Sequence, residues 1–156
     1  MIRPDDLFTH AMSLMRSPDE VDTRRAVSAA YYALFDSIAN DGAAVFGSAG
    51  PETVGQVVRA FEHGTMSKVC RTYLQQPLRG NTDPRLINVA QAFVDLQDAR
   101  VAADYDLRST IAQIDAARLI GSLAGVLTVW PDVARSSQGR VFLAKLLLGP
   151  RLNRRG

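Results

Sequence analysis

The sequence has very little of the side chains from which catalytic and metal sites are most often built. Cys70 is the only cysteine, so an internal disulfide and a cysteine-cluster metal site are both excluded, and core packing is the expected role of Cys70. Only two histidines occur, His10 and His63, which leaves few ways to build a metal site or an acid–base pair. Glycine-rich phosphate loops, nucleophile elbows and paired-histidine helices are also missing. We therefore expect no cofactor and no metal, and the conventional classes of enzyme are disfavoured.

Long hydrophobic runs and an apolar leader are absent as well. No run approaches the roughly 20 apolar residues of a membrane-spanning helix, and the chain opens with the acidic stretch Pro4-Asp5-Asp6. The 156 residues are 47% hydrophobic with a mean hydropathy of −0.03, a balance typical of a globular domain. We predict one cytoplasmic domain over residues 1–150, with no membrane association, followed by a short basic tail over residues 151–156.

Acidic residues are missing from the last part of the chain. Residues 1–132 contain all 16 acids and 12 of the 18 bases, whereas residues 133–156 contain six bases and no acid. The tail arginines Arg151, Arg154 and Arg155 belong to this basic segment. Its charge favours contact with an RNA backbone or an acidic partner, and a solvated helix end is the alternative.

Strand signals are missing, while helix signals recur along the whole chain. Caps and apolar stripes predict helices over about residues 4–16, 18–42, 51–63, 65–74, 84–103, 110–130 and 138–148, with a loop over 78–83 and with Pro131 ending the sixth helix. The second and fifth helices carry the clearest stripes, and the second is rich in alanine. The pattern predicts an all-α, antiparallel helical bundle in which these two helices pack together, with short accessory helices.

Arg100 interrupts the apolar stripe of the fifth predicted helix. It follows Phe93 by seven residues, which places it about 20° away around an ideal helix. An unpaired buried guanidinium would cost several kcal/mol. We therefore expect Arg100 either to pair with Asp104, four residues on, or to face a cleft that admits an anion.

The second predicted helix carries a polar face that contains Arg25, Tyr32 and Asp36. Arg25 is suited to a phosphate, and Tyr32 or Asp36 to a ribose hydroxyl, although a solvated or inter-helix ladder is the alternative. Of the two histidines, His10 is expected on the surface of a short first helix. His63 is expected in the last turn of the third helix, where the helix dipole favours an imidazolium, with an acid–base role as the alternative.

Two stretches together resemble a branch of the higher eukaryote and prokaryote nucleotide-binding (HEPN) domains. They are RRAVSAAYYALF, residues 24–35, and RVAADY, residues 100–105, and the similar region covers about residues 18–130. The resemblance implies a HEPN-type helical bundle that forms a homodimer, with site residues from both subunits. The family's ribonucleases carry a histidine four to six residues after the arginine. Here Arg100 is followed by Asp104, Tyr105 and Asp106, and Asp36 stands where relatives often have histidine.

The resemblance implies two alternative functions. The first is a protein of the toxin–antitoxin or defence kind that binds RNA or cleaves it as a metal-independent ribonuclease. In that function Arg100 stabilises phosphate charge and Asp104, Tyr105 or His63 assists. The second is a noncatalytic module that forms a homodimer or holds a protein partner such as a nucleotidyltransferase. The missing family histidine favours the second function, and the basic tail favours the first.

Overall fold

The computed structural model describes residues 1–149, so Arg151, Arg154 and Arg155 lie outside the described residues. Over that range the chain forms helices and no strand, which confirms the prediction of an all-α fold. The described helices are α1 (Pro4–Leu14), α2 (Glu20–Ala44), α3 (Pro51–Ala60), α4 (His63–Tyr73), α5 (Leu78–Asn81), α6 (Pro84–Tyr105), α7 (Gln113–Arg135) and α8 (Ser137–Leu148), with a 3₁₀ turn at Gly47–Ala49. None of these helices is long and apolar enough to span a membrane.

The chain folds into two compact units. Unit 1 contains residues 1–37 and 92–128, and unit 2 contains residues 38–91 and the described chain from residue 129 onward. The three long helices α2, α6 and α7 each contribute residues to both units.

Unit 1 is organised by the packing of α2 against α6. Tyr31 of α2 is fully buried, its ring centroid lies 5.5 Å from that of Phe93, and its hydroxyl donates a 2.7 Å hydrogen bond to Gln97 Oε1. Nearer the start of α2, Ser28 contacts Asp104, near the end of α6. Residues nearer the start of α2 therefore contact residues nearer the end of α6, so the two helices run antiparallel. The expected packing of the second and fifth predicted helices is confirmed.

The core of unit 2 includes a cluster of aromatic and sulfur-containing side chains from α4, α7 and α8. The ring centroid of Phe142 lies 5.0 Å from that of Tyr73 and 6.3 Å from that of Trp130. Cys70 is fully buried on α4, and this burial raises the pKa of its thiol. The expected packing role of Cys70 is confirmed.

Pro131 does not end the helix that contains it. α7 continues to Arg135, so the prediction that the helix breaks at Pro131 is wrong. The reason is tertiary packing. Trp130, Val133 and Ala134 are all buried in unit 2, and the burial of these side chains offsets the roughly 3 kcal/mol that proline costs inside a helix.

The predicted boundaries around α2, α3 and α5 also need correction. α2 runs past Gly42 to Ala44, and Gly42 instead makes room for Phe61, whose Cζ would lie 2.5 Å from an added Cβ. α3 ends at Ala60 because the backbone turns extended at Phe61 and Glu62. His63 is therefore the first residue of α4 and does not lie in a last helical turn, so the helix dipole gives no support to an imidazolium there. The predicted loop over residues 78–83 contains the short helix α5.

Candidate functional site

Arg100 is enclosed by α2 and by its own helix. Its side chain is 12% exposed, and its Nη1 lies 3.4 Å from Asp104 Oδ2. The guanidinium carbon also lies 5.1 Å from the ring centroid of Tyr31 and 5.8 Å from that of Tyr32. Cation–π attraction of this kind compensates part of the lost hydration of the guanidinium. The expected pair with Asp104 is present, while Arg100 Nε is buried without a hydrogen-bond partner among residues 1–149.

Asp104 joins the two helices. Besides its contact with Arg100, its Oδ1 accepts a 2.6 Å hydrogen bond from Ser28 Oγ of α2. Both carboxylate oxygens are thus engaged by protein donors, and about a third of the side chain, 35%, stays exposed. Arg100, Asp104 and Ser28 form a chain of polar contacts that ends at the surface of unit 1.

That surface is a shallow groove of about 660 Å³, which we call the unit 1 groove. Its lining includes His10 of α1, Val21, Arg25 and Ser28 of α2, Asp104 of α6, and Leu107. Val21 and Leu107 are exposed, 58% and 78% respectively. Arg25 is exposed too, and within the described chain it makes no hydrogen bond or ion pair. The groove therefore combines an available guanidinium with an imidazole and apolar walls.

Arg24, the neighbour of Arg25, also lines the groove, but its guanidinium is engaged by protein groups. Its side chain is only 12% exposed, and it donates to Glu20 Oε1 at 3.0 Å and to four backbone carbonyls at the end of α6 and just beyond it. The carbonyls belong to Ala102 (3.2 Å), Ala103 (3.0 Å), Asp106 (3.1 Å) and Ser109. The last carbonyls of a helix lack part of their intrahelical bonding, and Arg24 caps this end of α6, although Ala102 O also accepts from the N–H of Asp106 at 3.0 Å. Asp106 O also accepts from Ser109 Oγ at 3.1 Å.

The same contacts set the start of α7. The backbone N–H of Ile111 donates to Glu20 Oε1 at 3.2 Å, and this bond, together with that from Arg24, lowers the pKa of the Glu20 carboxyl. The carbonyl of Ser109 accepts from Arg24 and the N–H of Ile111 donates to Glu20, and both of these side chains belong to α2. Because these backbone groups are bonded to α2, the chain at Ser109 and Ile111 stays outside the helix. The prediction that the sixth helix begins at about residue 110, with Ser109 or Thr110 as its cap, is therefore wrong, and α7 begins at Gln113.

Arg24 is not among the site residues predicted above, although its position in the sequence carries a signal. Arg24 precedes Tyr31 by seven residues, so it lies in the apolar stripe of α2 just as Arg100 lies in the stripe of α6. A charge at this position of α2 therefore needs partners, as Arg100 does on α6. His10 is a different case, because its place in the groove depends on where α1 packs, and no periodicity reports that.

The structure brings some of the predicted site residues together and not others. Arg25 and Asp104 share the unit 1 groove, and Tyr32 contacts Arg100 beside it.

Asp36 is half-buried, and burial raises the pKa of its carboxyl, but neither Asp36 nor Tyr105 lines the groove. Tyr105 is 75% exposed at the end of α6. His63 belongs to unit 2.

Comparisons with protein-family models, with curated proteins and with solved structures find no match for this chain. Among residues 1–149, no group of three or more histidine, cysteine or carboxylate side chains could hold a metal ion. The side chains of the unit 1 groove are therefore the basis for a functional assignment.

Proposed function

We propose that this chain is a HEPN-type protein of the toxin-like or defence-associated kind that acts on RNA, which it binds in the unit 1 groove. One observation carries the proposal: Arg25 is exposed in this groove with no protein partner in the described chain, beside His10 and Asp104. A free guanidinium matches the geometry of two phosphate oxygens. The apolar side chains of Val21 and Leu107 offer surface to a ribose or a base.

The contacts of Arg100 support the family part of the proposal. The stretches 24–35 and 100–105, which carry the resemblance, are separated by the 64 residues 36–99. They meet in unit 1, where Arg100 contacts Tyr31 and Tyr32. Two stretches that form one family site must lie together in the fold. The contacts of Arg100 with Tyr31 and Tyr32 support this requirement.

The test of RNA binding is a titration of a labelled single-stranded RNA with wild-type protein and with Arg25→Ala. We expect the substitution to weaken binding about tenfold and to reduce the slope of log affinity against log salt by about one, because one phosphate contact is lost. The matched control is Arg118→Ala, which removes the same charge from an exposed position on α7 outside the groove. Equal losses in the two variants would contradict a specific role for the groove.

Arg100 is expected to support RNA binding indirectly, by holding Asp104, Tyr31 and Tyr32 in position. We predict that Arg100→Ala weakens RNA binding about tenfold and that Arg100→Lys does not restore it, because an ammonium lacks the planar surface that lies over Tyr31 and Tyr32. Melting curves recorded beside the titrations separate a loss of binding from a loss of folded protein. Full binding by a lysine variant that melts like the wild type would contradict this role.

The basic segment adds to the case for RNA. Of its described members, Arg135 pairs with Asp132 at 3.0 Å and Lys145 Nζ lies 5.2 Å from the ring centroid of Tyr73. Arg140 is exposed, and together with Arg135 it lines a second groove of about 350 Å³ in unit 2. The role of the tail arginines at 151–156 stays a prediction from the sequence.

A specific observation also favours the second function, a noncatalytic module that forms a homodimer or holds a partner such as a nucleotidyltransferase. Arg100 is largely buried and its Nη1 pairs with Asp104, and unit 1 exposes several large apolar side chains. They include Val21, Val101, Tyr105 and Leu107. Exposed apolar surface of this kind is typical of association sites. Sedimentation of the wild-type protein, run beside the RNA titration, distinguishes the functions: a dimer that binds no RNA supports the module.

A further inference from the structure

His10 is the imidazole that the structure places in the unit 1 groove. It lies on α1, it is exposed, and it shares the groove lining with Arg25 and Asp104. Within the described chain it makes no hydrogen bond or ion pair. We propose that His10 is the catalytic proton acceptor of an RNA-cleaving site in this groove, an inference that rests on the proposed function.

The other polar side chains of the groove are less suited to taking a proton. Both oxygens of Asp104 are engaged, by Ser28 at 2.6 Å and by Arg100 at 3.4 Å. The Ser28 hydroxyl is itself committed as a donor, and the guanidinium of Arg24 is occupied by backbone carbonyls. Arg25 carries only N–H donors in its guanidinium and has no acceptor atom. Imidazole is the side chain that most readily exchanges a proton near neutral pH, and His10 is uncommitted.

RNA carries its own nucleophile for such a step. His10 accepts the proton of a ribose 2′-hydroxyl, and the 2′ oxygen forms a bond to the adjacent phosphorus. The bond from that phosphorus to the 5′ oxygen of the next nucleotide breaks, and the departing oxygen takes a proton from solvent. His10 then returns its proton to solvent. Arg25 holds the negative oxygens of the phosphate throughout. The products are a 2′,3′-cyclic phosphate and a 5′-hydroxyl, and no further reactant is needed.

The experiment compares cleavage and binding in the same variants. Cleavage is followed with an end-labelled single-stranded RNA, and binding with the same sequence made with 2′-O-methyl riboses, which lack the nucleophile. We expect wild-type protein to give the cyclic phosphate product. His10→Ala should lower the cleavage rate constant about 100-fold while binding changes less than twofold. Thr9→Ala is the matched control, since Thr9 is the exposed neighbour on α1 and does not line the groove.

The outcomes distinguish a failure of the catalytic role of His10 from a failure of the RNA-binding function. Binding of the 2′-O-methyl RNA without cleavage of the RNA by wild-type protein would overturn the catalytic role of His10 and leave the RNA-binding function standing. Absence of binding would overturn both. Cleavage by His10→Ala at the wild-type rate, or a loss confined to a His63→Ala variant, would show that the reaction proceeds without His10. Loss of cleavage in both His10→Ala and Arg25→Ala, with folding intact, supports one site that contains both residues.

Discussion

Replacing Gly139 with alanine should lower the free energy of unfolding by about 3 kcal/mol, although alanine is the better helix former. Gly139 is buried in the first turn of α8, where an added Cβ would overlap the carbonyl oxygen of Val133 and lie 2.8 Å from its carbonyl carbon and 3.1 Å from Ala134 Cα. All three atoms belong to the backbone of α7, so they cannot move aside as the end of a flexible side chain can. The crowding therefore exceeds the gain in helix propensity.

The matched control is Gly125→Ala in α7. Gly125 is also helical but exposed, and an added Cβ there would meet nothing within 4 Å. Its replacement should raise the free energy of unfolding by about 0.5 to 1 kcal/mol, because alanine loses less backbone entropy in a helix. Urea unfolding of both variants measures the two effects. A Gly139→Ala variant as stable as Gly125→Ala would show that α7 and α8 are farther apart than described.

Gly139 illustrates which features of the fold the sequence reveals and which it conceals. The caps and apolar periods give the all-α class and most of the helices, including α8, whose first turn is capped by Ser136. The close approach of α8 to α7 is not predicted by these local signals. It depends on α7 continuing past Pro131, where a local rule predicts a break and the burial of Trp130 and Val133 overrides it.

The site shows the same division. The Arg100–Asp104 pair follows from a four-residue spacing on one helix, and it is present at 3.4 Å. The hydrogen bond from Ser28 and the place of His10 in the groove depend on how α1 and α6 pack against α2. Periodicity on one helix reports which face is buried but not which residue of another helix lies opposite. Residues of the candidate site that come from different helices were therefore not predictable as a set.

Arg24 and Arg25 are adjacent in the chain, and we expect opposite consequences when each is replaced. Arg24→Ala should lower the free energy of unfolding by about 2 to 3 kcal/mol, because four backbone carbonyls at the end of α6 and just beyond it lose a charged donor. Arg25→Ala should change stability by less than about 0.5 kcal/mol, because its side chain is exposed and makes no ion pair within residues 1–149. The same denaturant titration measures both.

Hydrogen exchange locates the effect of Arg24. The N–H of Ile111 is bound to Glu20, and Arg24 holds the Glu20 carboxylate at 3.0 Å, so the N–H of Ile111 should exchange faster in Arg24→Ala than in Arg25→Ala. Arg24→Lys should recover only part of the stability, since an ammonium with three donors cannot reach all five acceptors that the guanidinium spans. A stable Arg24→Ala variant with unchanged exchange at Ile111 would contradict a capping role and would leave Arg24 available, like Arg25, for a ligand in the groove.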